Sequence, residues 1–90
     1  MEIKLKNPHT YTAVAGEAKC WSVVNPTNDL TLGTITRYYT PKGRKLYSAH
    51  ISIITMGSIP GISLKNCEDM DEAKELFRSN LRIALKHIRA

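Results

Sequence analysis

Histidine, serine and cysteine near one another are the raw material of nucleophilic catalysis, and this chain holds a short run of them. Ser48, His50 and Ser52 recur at i, i+2 spacing, which puts side chains on one face of a strand. A histidine base beside a serine, or beside Cys67 through the fold, would begin an acyl-transfer site. Neighbours at that spacing point the same way without touching, however. No carboxylate pair, Gly-rich phosphate loop or nucleophile motif accompanies them. Gly57-Ser58-Ile59-Pro60-Gly61 has the outline of a nucleophile elbow, but Pro60 disfavours the strand-to-helix turn an elbow needs. No catalytic residue is therefore expected. Nor is a metal or other cofactor, because Cys20, Cys67, His9, His50 and His87 never fall at CxxC, HxxxH or HExxH spacing.

The spacing that does carry a chemistry is that of binding. Arg37, Tyr38, Tyr39, Lys42, Arg44, Lys45 and Tyr47 interleave cations with aromatic rings around a single turn. Cations contact phosphates, aromatics stack on bases, and a two-stranded ribbon fits a major groove. The competing account is a Lys-rich turn that resists edge pairing, with Tyr47 and one of Tyr38 and Tyr39 in the core.

Charge leans the same way. The net charge of +5 lies within residues 1–67, where eight Lys and Arg face three acids, while residues 68–90 carry five of each sign. Such a balance favours a polyanion or an acidic protein surface as partner. Arg78, Arg82 and Lys86, with Arg89, form a ridge along the C-terminal segment. Acids crowd the start of that segment and cations its end, as a helix dipole rewards in any exposed helix, so the ridge reads as a solvated face. Trp21, the one tryptophan, reads as a core or interface anchor.

Ninety residues leave room for one domain, expected to span 1–90, and little scope for a deep pocket. Met1-Glu2-Ile3-Lys4-Leu5-Lys6 alternates where a signal peptide would run continuously apolar, and no run approaches membrane-spanning length. The expectation is a cytoplasmic protein with no membrane partner, with Cys20 and Cys67 as reduced thiols. With so small a core, a homodimer through the sheet edge or Trp21 stands level with a monomer.

The elements that must position these residues follow from periodicity. Asp69-Met70-Asp71-Glu72 reads as a capping box, and Ala73, Leu76, Phe77, Leu81, Ala84, Leu85 and Ile88 recur at helical spacing, predicting a helix over about 70–88. Tyr47, Ala49, Ile51 and Ile53 alternate with polar residues, predicting a strand within 45–55. Residues 31–40, rich in β-branched and aromatic side chains, predict its partner, with a turn at Pro41-Lys42-Gly43 and a bulge or strand start at Gly33. Residues 20–24 read as another strand. Residues 10–15 are a further strand candidate, residues 2–6 an edge strand or arm, and 62–64 a short extended piece. The fold class is α+β: an antiparallel sheet of three to four strands packed against one C-terminal helix, in the order β-β-β-α. The helix would cover Tyr47, Ala49, Ile51 and Ile53, leaving Thr34, Thr36, Tyr38, Ser48, His50 and Ser52 on a polar second face.

Trp21-x-Val23, Leu32-Gly33-Thr34-Ile35-x-Arg37, Tyr47-x-Ala49 and Glu72-Ala73 together resemble small orphan proteins of phages and other mobile elements. That resemblance implies host takeover, anti-defence binding or gene control. Ile59-Pro60-Gly61-Ile62 followed by Asp71-Glu72-Ala73 is similar to HicB-type antitoxins, with Ser58 standing where that family has an Asp. Three strands followed by a helix also occur in DNA-binding domains at integrase N-termini, an analogy of element order. The combined expectation is a non-catalytic basic module that binds DNA or RNA, with Arg37, Lys42, Arg44 and Lys45 on phosphates and Tyr38 or Tyr39 stacking. The alternative is an accessory or inhibitor protein that docks on another protein.

Overall fold

Alternation of apolar and polar residues builds most of this molecule, and two local interruptions shape it. The computed structural model describes residues 2–52 and 62–89. Five strands, β1 (Lys4–Ala13), β2 (Gly16–Val24), β3 (Thr31–Tyr39), β4 (Lys45–Ile51) and β5 (Ile62–Ser63), precede one helix, α1 (Met70–Arg89). The strands form one antiparallel sheet in the order β1-β2-β3-β4-β5, so each pairs with its neighbour in sequence. An α+β architecture with a single C-terminal helix is thus what these residues adopt. Ile53 and the Gly57–Gly61 stretch lie outside the described residues, as do the side chains of Ala84, Leu85 and Ile88.

The two N-terminal candidates, residues 2–6 and 10–15, supply one strand, which with β2–β4 makes the expected four, and the two-residue β5 adds a fifth at the far edge. The register slips between Lys6 and His9, where Asn7 takes a φ of 52° and Pro8 offers no N–H. This bulge lets the chain pass from Lys6 opposite Ser22 to His9 opposite Cys20 and still pair on both sides. It also blunts an edge strand that would otherwise present an unbroken row of donors. A second slip lies between Val23, opposite Gly33, and Val24, opposite Thr31, which leaves Leu32 as the extra residue. It accounts for the break in the β3 alternation and brings Leu32 into the core beside Ile35.

One face of the sheet carries Val23, Ile35, Tyr47, Ala49 and Ile51, and α1 lays Ala73, Phe77 and Leu81 against them. Phe77, Ile35, Leu81 and Val23 are fully buried, each worth about 1.5–3 kcal/mol relative to exposure. Asp69 caps the helix, its carboxylate accepting from the Glu72 N–H at 2.7 Å, and Asp71 and Glu72 place negative charge in the first turn. Cys67 joins the helix start to the sheet by exchanging two 2.8 Å backbone hydrogen bonds with Tyr47. In this meander the β1–β2 turn, the β3–β4 turn and the start of α1 all lie at one end of the sheet.

Candidate nucleic-acid interface

Strand pairing sorts the residues of the 37–47 hairpin onto different surfaces. β3 and β4 pair Arg37 with Tyr47, Tyr38 with Leu46, and Tyr39 with Lys45. Side chains alternate faces, so Arg37, Tyr39, Lys45 and Tyr47 share the helix side while Tyr38 points to the opposite face. The helix begins beside Tyr47 and leaves the residues nearer the turn open: Lys45 is exposed and Tyr39 half-buried, whereas Tyr47 belongs to the core.

Each of these aromatics lies under a cation of its own strand. The Arg37 guanidinium carbon is 5.7 Å from the Tyr39 ring centre, and Lys45 Nζ is 6.0 Å from that of Tyr47. On β2, whose Lys19 pairs with Arg37, Lys19 Nζ lies 5.3 Å from the centre of Trp21. Attraction between cation and ring quadrupole holds these pairs. Lys19, Arg37 and Lys45 have no ion-pair partner among the described residues. Arg37 Nε is moreover buried with no hydrogen-bond acceptor among the described residues.

At the turn, Gly43 adopts a φ of 83° and donates to the Thr40 carbonyl at 2.8 Å, while Thr40 Oγ1 accepts from the Arg44 N–H at 3.1 Å. Lys42 is exposed there and has no ion pair among the described residues. Arg44 is paired with Glu68, and both side chains are largely exposed, so the pair is weakly held. Of the six residues singled out in the sequence, five therefore gather on the helix side or at the turn. Tyr38 stands apart.

Lys19 and Trp21 were not among those six. The signal for them is the repetition of a cation two residues before an aromatic, in Lys19-x-Trp21, Arg37-x-Tyr39 and Lys45-x-Tyr47. Once the three strands are set in register, the repeats fall on one face.

Among the described residues no helix packs on the opposite face. Tyr38 lies there, and continuing the β2–β3 register by one residue places it beside Ala18, which pairs with Tyr11 on its other side. Ala18 is only 1% exposed although no helix covers it among the described residues, and Tyr11 and Tyr38 are the residues that flank it in register. His9 stacks on Tyr11 at 6.1 Å, and Thr36 Oγ1 donates to Cys20 Sγ at 3.4 Å. His50 Nδ1 meets Ser63 Oγ at 3.2 Å, on β5, and bonds neither Ser48 nor Ser52 among the described contacts.

Both cysteines are free, with Cys20 on the face away from α1 and Cys67 in the core on the other side. Burial, with Glu72 second, pushes the Cys67 thiol above its ordinary value of 9.0. A shallow groove of about 260 Å³ beside it is lined by Lys65, Glu72, Glu75, Leu76 and Ser79. Among the described residues no helix is long and apolar enough to cross a membrane. No protein-family model, curated protein or solved structure matches this chain.

Proposed function

We propose that this chain is a non-catalytic module that binds nucleic acid at the end of the sheet where both hairpins turn. The observation that carries the reading is the set of Lys19, Arg37 and Lys45 on one face, interleaved with Trp21 and Tyr39 and lacking carboxylate partners among the described residues. Lys42 and Arg44 extend the positive charge around the β3–β4 turn. Unneutralised cations beside aromatic rings are the combination that a phosphate backbone with accessible bases uses. A regulatory role in a phage or mobile element is the setting that the sequence resemblance implies.

The test is fluorescence anisotropy of labelled DNA and RNA with the purified protein and with a Lys42→Glu, Lys45→Glu variant. The expected result is micromolar or tighter binding at low salt that the charge reversal abolishes. Absence of binding to every polymer at low salt would sink the reading.

One observation favours a second reading. β1 forms an edge of the sheet, and Val14 at its tip is fully exposed. A protein partner that adds a strand there would make this chain an accessory or inhibitor protein. Capture of one specific protein after nuclease treatment, lost when β1 is altered and retained by the Lys42→Glu, Lys45→Glu variant, would favour this alternative.

A further inference from the structure

The cation–aromatic pairs also bear on which form of nucleic acid fits, an inference that rests on the function proposed above. Tyr39, nearer the turn than the start of α1, and Trp21, which packs against the edge of the core, are both half-buried on the helix side, and each has a cation over its ring: Arg37 at 5.7 Å and Lys19 at 5.3 Å. In the pose with Arg37 folded onto Tyr39, Arg37 Nε is buried with its N–H unpartnered among the described residues. A buried donor of a charged group without an acceptor is costly, and most such groups in proteins are satisfied. That pose is therefore poorly rewarded, and an incoming acceptor changes the balance. If the guanidinium lifts from the ring to a phosphate, Nε gains an acceptor and the face of Tyr39 is uncovered. Lys19 has the same choice over Trp21 and carries no ion pair among the described residues.

We infer that Tyr39 and Trp21 are stacking platforms for the unpaired bases of a single strand, covered in the free protein by Arg37 and Lys19, which move to the strand's phosphates on binding. A duplex cannot use this surface in the same way, because its bases already stack on one another and offer only their edges. The two rings lie on adjacent strands, four residues apart along the sheet, since Trp21 pairs with Ile35. At a rise of about 3.4 Å per residue and about 4.8 Å between strands, their separation is about 14 Å. A few nucleotides bridge that distance, with the cationic row of Lys19 and Arg37 between the two ends. Single-stranded DNA and RNA share the chemistry, since every base has a π-face.

The experiment titrates the full chain with short single-stranded DNA, single-stranded RNA and duplex DNA. It follows both ligand anisotropy and emission from Trp21, the one tryptophan. Single strands should bind more tightly than duplex and quench Trp21, and the DNA and RNA arms report which sugar is preferred. Tyr39→Leu keeps an apolar side chain against Gly16, whose Cβ position lies 3.7 Å from the ring. It should weaken single-strand binding by about 5- to 150-fold, the loss of one stacked base. Tyr39→Phe should retain affinity, and circular dichroism shows whether each variant is folded. Duplex binding as tight as single-strand binding, or wild-type affinity in folded Tyr39→Leu, overturns this inference and leaves the broader nucleic-acid reading standing. No binding by any polymer overturns both.

Discussion

If the hairpin end is an electrostatic site, its salt dependence follows from the number of cations free to act there. Lys19, Arg37, Lys42 and Lys45 have no ion pair among the described residues, whereas Arg44 is already engaged by Glu68. Each phosphate neutralised on a single strand contributes about −0.7 to the slope of log K against log salt concentration. Four contacts give a slope of about −2.8, which weakens binding about 50-fold between about 50 and 200 mM salt. Lys42→Ala leaves three contacts and a slope of about −2.1, a loss of about 20-fold over the same range. Lys6 supplies the control. It pairs with Asp29 beside the β2–β3 turn and, opposite Ser22, lies on the face of the sheet away from Lys19, Trp21 and Arg37, so Lys6→Ala should leave the slope unchanged. Anisotropy titrations of a labelled single strand at several salt concentrations measure all three slopes. A wild-type slope shallower than about −1 would leave too few phosphate contacts for this surface. Equal effects of Lys6→Ala and Lys42→Ala would show that charge acts through its total, without a localised site.

Two further predictions concern the scaffold and its response to pH. Gly33→Ala should destabilise the sheet, because a Cβ there would overlap the His50 carbonyl oxygen and stand 3.0 Å from Ile51 Cα, both backbone atoms of the paired strand. Overpacking of this kind costs about 1–3 kcal/mol, with the rigid backbone placing it toward the upper end, and each kcal/mol lowers Tm by about 4–8 °C in a domain this size. An unchanged thermal melt by circular dichroism would refute the close approach of β3 and β4. Burial raises the Cys67 thiol above 9.0, so the folded chain holds this proton where the unfolded chain releases it. Its contribution to stability is therefore complete below the ordinary value and is lost as pH rises through that value to the raised one. Denaturant unfolding at neutral and alkaline pH should show a steeper alkaline loss for the wild type than for Cys67→Ala. Parallel losses would mean that the thiol is not buried.

The parts of the fold legible in the sequence are those fixed by local rules. The Asp69 cap, the apolar stripe through Ala73, Phe77 and Leu81, the Pro41-Lys42-Gly43 turn and the β4 alternation are each set by spacing along a few residues, and each is present as read. β1 was harder because Asn7 and Pro8 break its period. Two short segments looked separate until the bulge joined them against a continuous β2. The candidate site was legible only in part, for a related reason. Composition located the hairpin, but composition does not assign faces, and Tyr38 and Tyr39 look alike until register sends them to opposite sides. Lys19-x-Trp21 was readable as a pattern, yet it gains its meaning from pairings on the next strand, where Lys19 meets Arg37 and Trp21 meets Ile35. A cation two residues before an aromatic is a weak local motif on any one strand, since the two side chains simply share a face. Three copies on adjacent strands, placed by two hairpins so that the helix start covers Tyr47 and leaves Trp21 and Tyr39 partly open, make a surface on which cations outnumber the exposed Glu17 and two rings lie within reach of the same strand of nucleic acid. The sheet's contribution to the proposed function is therefore registration, and a variant that slips β2 against β3 by one residue would disperse the site while leaving every residue of it in place.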